Sequence, residues 1–202
     1  QIVGQRQSIA RLERDEQRLS ALIDRISKVL AEQSRKEAER ARQQAERDAK
    51  AKAATRSSPG PKSPEPEQAA ARTPPDLSPS SSNFGQQRGK LRLPVDGAVS
   101  ARFGTPRRGD GGSAGPSWKG VFLRAPVGAD VKAVGDGRVV FADWLRGFGN
   151  LLVIDHGEGY LSVYGNNESL LRNVGDRVAV GEVVASVGNT GGNEAPGLYF
   201  EL

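Results

Sequence analysis

The chain has 202 residues, 36% hydrophobic and 26% charged, enough for one compact domain plus an extended portion. The absence of cysteine excludes disulfides, thiolate metal sites and cysteine nucleophiles, and no run approaches the roughly 18 apolar residues of a transmembrane segment. The formal charge of +5 is unevenly placed, with +4 on residues 1–54, +2 on 55–90 and −1 on 91–202. The basic excess therefore lies outside the globular part, opposite to what a nucleic-acid-binding domain requires.

Methionine is also absent, and the sequence stops abruptly at Phe200-Glu201-Leu202. The chain is expected to be a piece of a longer protein, so the lack of an export signal says nothing about location.

Residues 1–54 are predicted to form one helix. Ile9, Leu12, Leu19, Ile23, Ile26 and Leu30 follow alternating steps of three and four, the a and d positions of a coiled-coil seam. Glu16 occupies one a position and interrupts the pattern. So narrow a seam needs a second helix, either an antiparallel one upstream or a second copy of this chain. From Ala31 to Ala54 the residues are almost wholly Ala, Glu, Gln, Arg and Lys, which favour helix but offer no apolar face. A rigid spacer or docking arm and a solvated, fraying helix both fit this stretch.

Residues 55–90 form a Pro/Ser-rich linker holding seven of the twelve prolines, with Leu77 and Phe84 the only large apolar residues. So few anchors cannot offset the entropy of ordering, and a flexible, disordered tether is expected, with transient docking of Asp76-Leu77 and Asn83-Phe84 on the neighbouring domain as the alternative.

Residues 91–202 are predicted to form a single antiparallel β domain, from short Val/Ile/Leu-rich runs punctuated by Gly and Asp. The expected strands are 131–134, 137–144, 150–156, 161–164 and 183–187. Tight loops at Arg146-Gly147-Phe148-Gly149 and His156-Gly157-Glu158-Gly159 join two pairs of them. Asn167 to Leu171 is expected as a helical turn, and Thr105 to Ser117 as a mobile loop without period. The rhythm of Val174 to Val183 also suits a biotinyl- or lipoyl-type carrier, but no lysine follows Lys132 to serve as the modified residue.

Trp118-Lys119-Gly120-Val121-Phe122-Leu123-Arg124-Ala125-Pro126 resembles the His-x-Gly-Ile/Val-Asp-Ile-x-Ala-Pro segment of the LytM (lysostaphin-like) zinc endopeptidases. In that family the His and Asp, four apart on a strand, hold the metal. Tyr164-Gly165-Asn166 resembles the family's Tyr-x-His, and Pro196-Gly197-Leu198-Tyr199-Phe200-Glu201 its Pro-His-x-His-Phe-Glu. The resemblance places Trp118, Phe122 and Tyr199 at the three zinc positions, and Asn166 and Gly197 at the two catalytic histidines. It thus implies a LytM-like fold without zinc, catalytic residues or any cofactor. The single histidine, His156, reads as a structural turn residue, and nothing marks Ser162 or Ser169 as a nucleophile.

Aromatic and aliphatic replacements rimmed by a lysine suit protein binding better than a decayed cleft. The candidate groove is Trp118, Lys119, Phe122, Phe148, Leu151, Tyr164, Asn166, Gly197 and Tyr199. With a helical segment and tether upstream, the chain resembles the EnvC family of murein hydrolase activators. The resemblance covers 91–202 strongly and 1–54 by architecture alone. It implies a periplasmic, septal activator whose groove captures a helix of an N-acetylmuramoyl-L-alanine amidase. It also implies a coiled coil that docks on the FtsEX division complex. Part of residues 31–90 is expected to cover the groove at rest. A residual zinc metalloendopeptidase and a peptidoglycan-binding pseudo-enzyme are the alternatives.

Overall fold

The computed structural model describes residues 2–55, 84–108, 114–193 and 195–202. Two units form: Gln1–Ile23 with Pro79–Leu202, and Asp24–Ser78.

The predicted helix, α1, runs over Ile2–Thr55. In the second unit its residues 31–50 are exposed, without an apolar face. Pairs one turn apart brace it, Lys36 with Glu32 at 2.6 Å and Lys50 with Glu46 at 2.8 Å. Such exposed pairs each contribute only a few tenths of a kcal/mol, about 0.3–0.5.

The first unit carries the β domain. Its strands are β1 (Ala98–Ala101), β2 (Pro106–Arg108), β3 (Ala114–Ser117), β4 (Val121–Arg124), β5 (Asp130–Lys132) and β6 (Gly137–Leu145). They continue as β7 (Gly149–Asp155), β8 (Leu161–Leu170), β9 (Arg177–Val178), β10 (Val183–Val187) and β11 (Gly197–Glu201). The main sheet runs β1-β4-β11-β8-β7-β6-β9, with β10 bridging β5 and β8. Every pairing is antiparallel.

Strand alternation divides the sheet between two environments. Leu123, Leu198, Tyr164, Leu152 and Ile154 point into the main core with Val131, Val139 and Val184. The residues between them point the other way: Phe122, Tyr199, Gly165, Val163, Leu151 and Val153. This second face carries the candidate groove.

Three expectations need correction. Asn167 to Leu170 continues strand β8 and is not helical, because its backbone pairs with β10 through Asn167, Ser169 and Leu170. The Thr105–Ser117 stretch contributes the β2–β3 ribbon, with Pro106 opposite Ser117 and Arg108 opposite Ala114. Its main-chain partners supply an order that its composition does not signal.

The tether's end is also docked. Phe84–Gln87 is a short 3-10 helix, and Phe84 is 3% exposed. Its ring stacks on His156 with centroids 4.2 Å apart and planes at 8°, with Tyr160 alongside at 5.6 Å. A Cβ at Gly135 would lie 2.5 Å from that ring, so only glycine leaves room for it. One large aromatic in a fitted slot offsets the ordering of a single short turn. Leu77 lies outside the described residues.

Candidate functional site

Phe122, Tyr199 and Gly165 are cross-strand neighbours on β4, β11 and β8. Because Gly165 has no side chain, Leu151, Phe148 and Tyr199 close over it. Phe148 meets Tyr199 edge-on at 5.1 Å. Trp118 lies 5.9 Å from Phe122 and 6.1 Å from Tyr199, ring to ring. Its backbone is fixed at both groups, the N–H donating to Thr105 O and the carbonyl accepting from Gly104 N–H. The result is an aromatic floor held by the sheet and walled by the ribbon.

Arg107 of β2 roofs that floor. Its guanidinium lies 3.9 Å above the Trp118 ring and 5.8 Å from both Phe148 and Tyr199. Stacking on Trp is the most favourable cation–π arrangement, contributing about 0.5–2 kcal/mol according to desolvation.

Over this floor lies α1. Glu16 approaches Arg107, Oε1 to Nη1, at 2.9 Å; Glu16 is 5% and Arg107 8% exposed. Lys119 Nζ donates to Ser20 Oγ at 2.7 Å. Leu19 is fully enclosed, and Leu12 reaches to 3.4 Å from where a Gly115 Cβ would stand. Asp15, bonded to Arg18 within the helix, comes so close to the 146–149 loop that a Cβ at Gly147 would be 2.6 Å away. Leu12 and Leu19 of the seam, expected to pair with another helix, are therefore spent on the β domain. Residues 12–20 thus cover this face; of the 31–90 region expected to do so, residues 31–50 are exposed and 56–83 lie outside the described residues.

The charges here are poorly solvated. Burial raises the Glu16 carboxyl above its ordinary range, although Arg107 and Lys119 pull it down. Burial likewise lowers the Arg107 guanidinium against the opposing pull of Glu16. Among the described residues, neither Glu16 oxygen nor Arg107 Nε has a hydrogen-bond partner. The 2.9 Å approach is thus electrostatic contact without hydrogen-bond alignment. Tyr199 is raised well above the ordinary phenol range, first by burial and then by Glu201, to which its hydroxyl donates at 2.6 Å.

The structure brings some of the expected groove residues onto one face and places others elsewhere. Trp118, Phe122, Phe148, Leu151 and Tyr199 gather on the groove face, and Lys119 stands exposed at its edge. Tyr164 belongs to the main core and is removed from the groove. Its hydroxyl accepts from Val134 N–H and lies 3.1 Å from Ser162 Oγ, and burial pushes it up to about 12. Asn166, at φ 69°, is a clamp. Its amide donates to the Gly188 and Gly197 carbonyls and accepts from Gly191 N–H and Asn193 Nδ2.

Arg107 and Glu16 were missed as site residues. Glu16 left a trace as the break in the heptad, since a carboxylate in an apolar seam needs a cation. Arg107 sat in a stretch read as loop. His156 is fully buried in the core, with Nδ1 2.7 Å from Asp136 O and Nε2 2.6 Å from Ser162 Oγ. Phe84 closes this pair off, so it admits no substrate.

Residues 116–202 match Peptidase family M23. Residues 116–202 are an M23 domain. The chain is 43% identical over 119 residues to the murein hydrolase activator EnvC of Escherichia coli K12, covering 59% of this chain and 27% of that protein. It is 37% identical over 112 residues to the murein hydrolase activator NlpD of Salmonella dublin, covering 55% and 27%. It therefore spans about a quarter of the length of these two relatives. Among solved structures, a zinc-containing peptidase from Vibrio cholerae is similar with a TM-score of 0.50 at 31% identity, over 55% of this chain and 35% of that one.

Among the described residues, the side chains gathered at this face offer a zinc ion no set of donors. Trp118 and Phe122 offer no lone pair. The Tyr199 hydroxyl is committed to Glu201 and held against ionisation, the Asn166 amide is spent on backbone groups, and Gly197 has no side chain.

Proposed function

We propose that this M23 domain is a non-catalytic activator of a peptidoglycan hydrolase, gripping a helix of an N-acetylmuramoyl-L-alanine amidase in its aromatic groove. The observation that carries this reading is α1 itself: a helix lies over Trp118, Phe122, Phe148 and Tyr199, held by Leu12, Glu16, Leu19 and Ser20. A surface that accommodates one amphipathic helix this way is suited to accommodate another. The activator names of the EnvC and NlpD relatives support the same reading, as does a donor set that suits no zinc.

In this account the chain rests self-covered, and activation requires α1 to leave. An intramolecular competitor acts at an effective concentration set by the length and stiffness of its linkage. A partner helix must therefore bind better than α1, or something must pull α1 away. Docking of the helical region on the FtsEX complex in the periplasm at the septum would supply that pull.

Dye release from labelled sacculi tests the proposal with amidase alone, this chain alone and both together. Release only in the mixture, increased by loosening α1, supports it. Chelator-sensitive release by this chain alone would support the peptidase alternative and refute it.

A further inference from the structure

We infer that Arg107 makes the groove selective for a helix bearing a buried carboxylate, set between two aliphatic side chains seven residues apart. This rests on the proposed groove and specifies the partner's chemistry. In α1 the pattern is Leu12, Glu16 and Leu19: an apolar anchor, an acid four residues on, and a second anchor three further. All three fall on one helix face.

The selectivity follows from what surrounds Arg107. Its guanidinium is fixed over Trp118 at 3.9 Å and 8% exposed, so any helix that seals the groove buries the cation. Glu201, the carboxylate contributed by β11, already accepts the Tyr199 hydroxyl at 2.6 Å. The Glu201 charge acts on Arg107 from further off, but among the described residues the direct ion pair of Arg107 is made with Glu16 of the occupant. A helix without an acid at this point leaves the buried guanidinium without that direct partner, the costly case for a buried ion pair. Lys119, which pulls Glu16 toward the charged form, adds a second cation favouring an acidic occupant.

The resting occupant also fits imperfectly. Glu16 meets one Nη1 at 2.9 Å, while Arg107 Nε and both carboxylate oxygens lack aligned hydrogen bonds. The guanidinium fork, capable of two parallel bonds to one carboxylate, is unfilled. A partner helix whose carboxylate fills it displaces α1 with no larger apolar contact. The mismatch at Glu16 keeps α1 a replaceable occupant.

The test uses the full 202-residue chain carrying Leu19→Asp, which frees the groove, and a fluorescein-labelled peptide of residues 5–26 followed by fluorescence anisotropy. The wild-type peptide should bind saturably, and the E16L peptide about 30-fold or more weakly, the loss typical of removing one partner of a buried charge pair. On a chain that also carries Arg107→Leu, the E16L peptide should recover and match or exceed the wild-type peptide. E16L binding as tightly as wild type to the Arg107 chain would overturn the selectivity while leaving the groove intact. Absence of saturable binding by the wild-type peptide would overturn both. Unchanged far-ultraviolet circular dichroism of the Arg107→Leu chain controls for folding.

Discussion

Replacing Leu19 by Asp should lift α1 from the aromatic floor. Leu19 is 2% exposed, and removing its side chain forfeits about 2 kcal/mol of burial, the low end for a helix that can adjust. That alone shifts the ratio of covered to open groove about 30-fold. An Asp at the same place adds the desolvation cost of an unpaired polar group, roughly 2–7 kcal/mol for a neutral group and more for an ionised one. What remains is Leu12, the strained Glu16–Arg107 contact and the exposed Lys119–Ser20 bond, the last worth about 1 kcal/mol. The chain has two tryptophans, and Trp144 is 56% exposed. With Trp144→Phe as background, emission reports Trp118 alone. Leu19→Asp should shift that emission to the red, increase iodide quenching and raise amidase stimulation in the dye-release assay. Emission, quenching and stimulation all unchanged from the parent would refute the view that α1 covers the groove through Leu19.

Gly147→Ala should open the groove from the opposite side, because the new Cβ would meet Asp15 at 2.6 Å and the residue sits at φ 86°; the same emission reads it. Burial lowers His156 below its ordinary 6.5, so the unfolded chain takes up a proton that the folded core refuses. Stability from this group is present above about 6.5 and lost as pH falls below it, to be seen as a lower Tm at pH 5 than at 7.5. Phe84→Ala empties the slot over His156 and should cost about 3 kcal/mol, measured by denaturant unfolding, with faster hydrogen exchange at residues 84–87.

Much of the β domain was legible because its strands carry apolar residues in short runs bounded by glycine: the expected 137–144 and 183–187 are β6 and β10 to within a residue. The aromatic floor was legible as well, since Trp118, Phe122 and Tyr199 stand in segments whose outline is distinctive. Other features depend on partners far apart in sequence. Arg107 is an ordinary loop cation until Glu16 lies against it, 91 positions upstream. Tyr164 cannot be told from Tyr199 by composition; only its place on the alternate face of β8 puts it in the core. Phe84 was legible only as one of two points for transient docking, because the hole that its ring fills is left by Gly135, far along the chain.

The missing side chain at Gly197 constrains any redesign of this face. A Cβ there would stand 2.6 Å from the Phe122 ring and 2.6 Å from the Leu123 carbonyl oxygen. Any histidine installed at 197 therefore collides with an aromatic of the neighbouring strand and with that strand's backbone. Trimming Phe122 relieves only the first of these, so a donor at 197 needs the two strands to move apart as well.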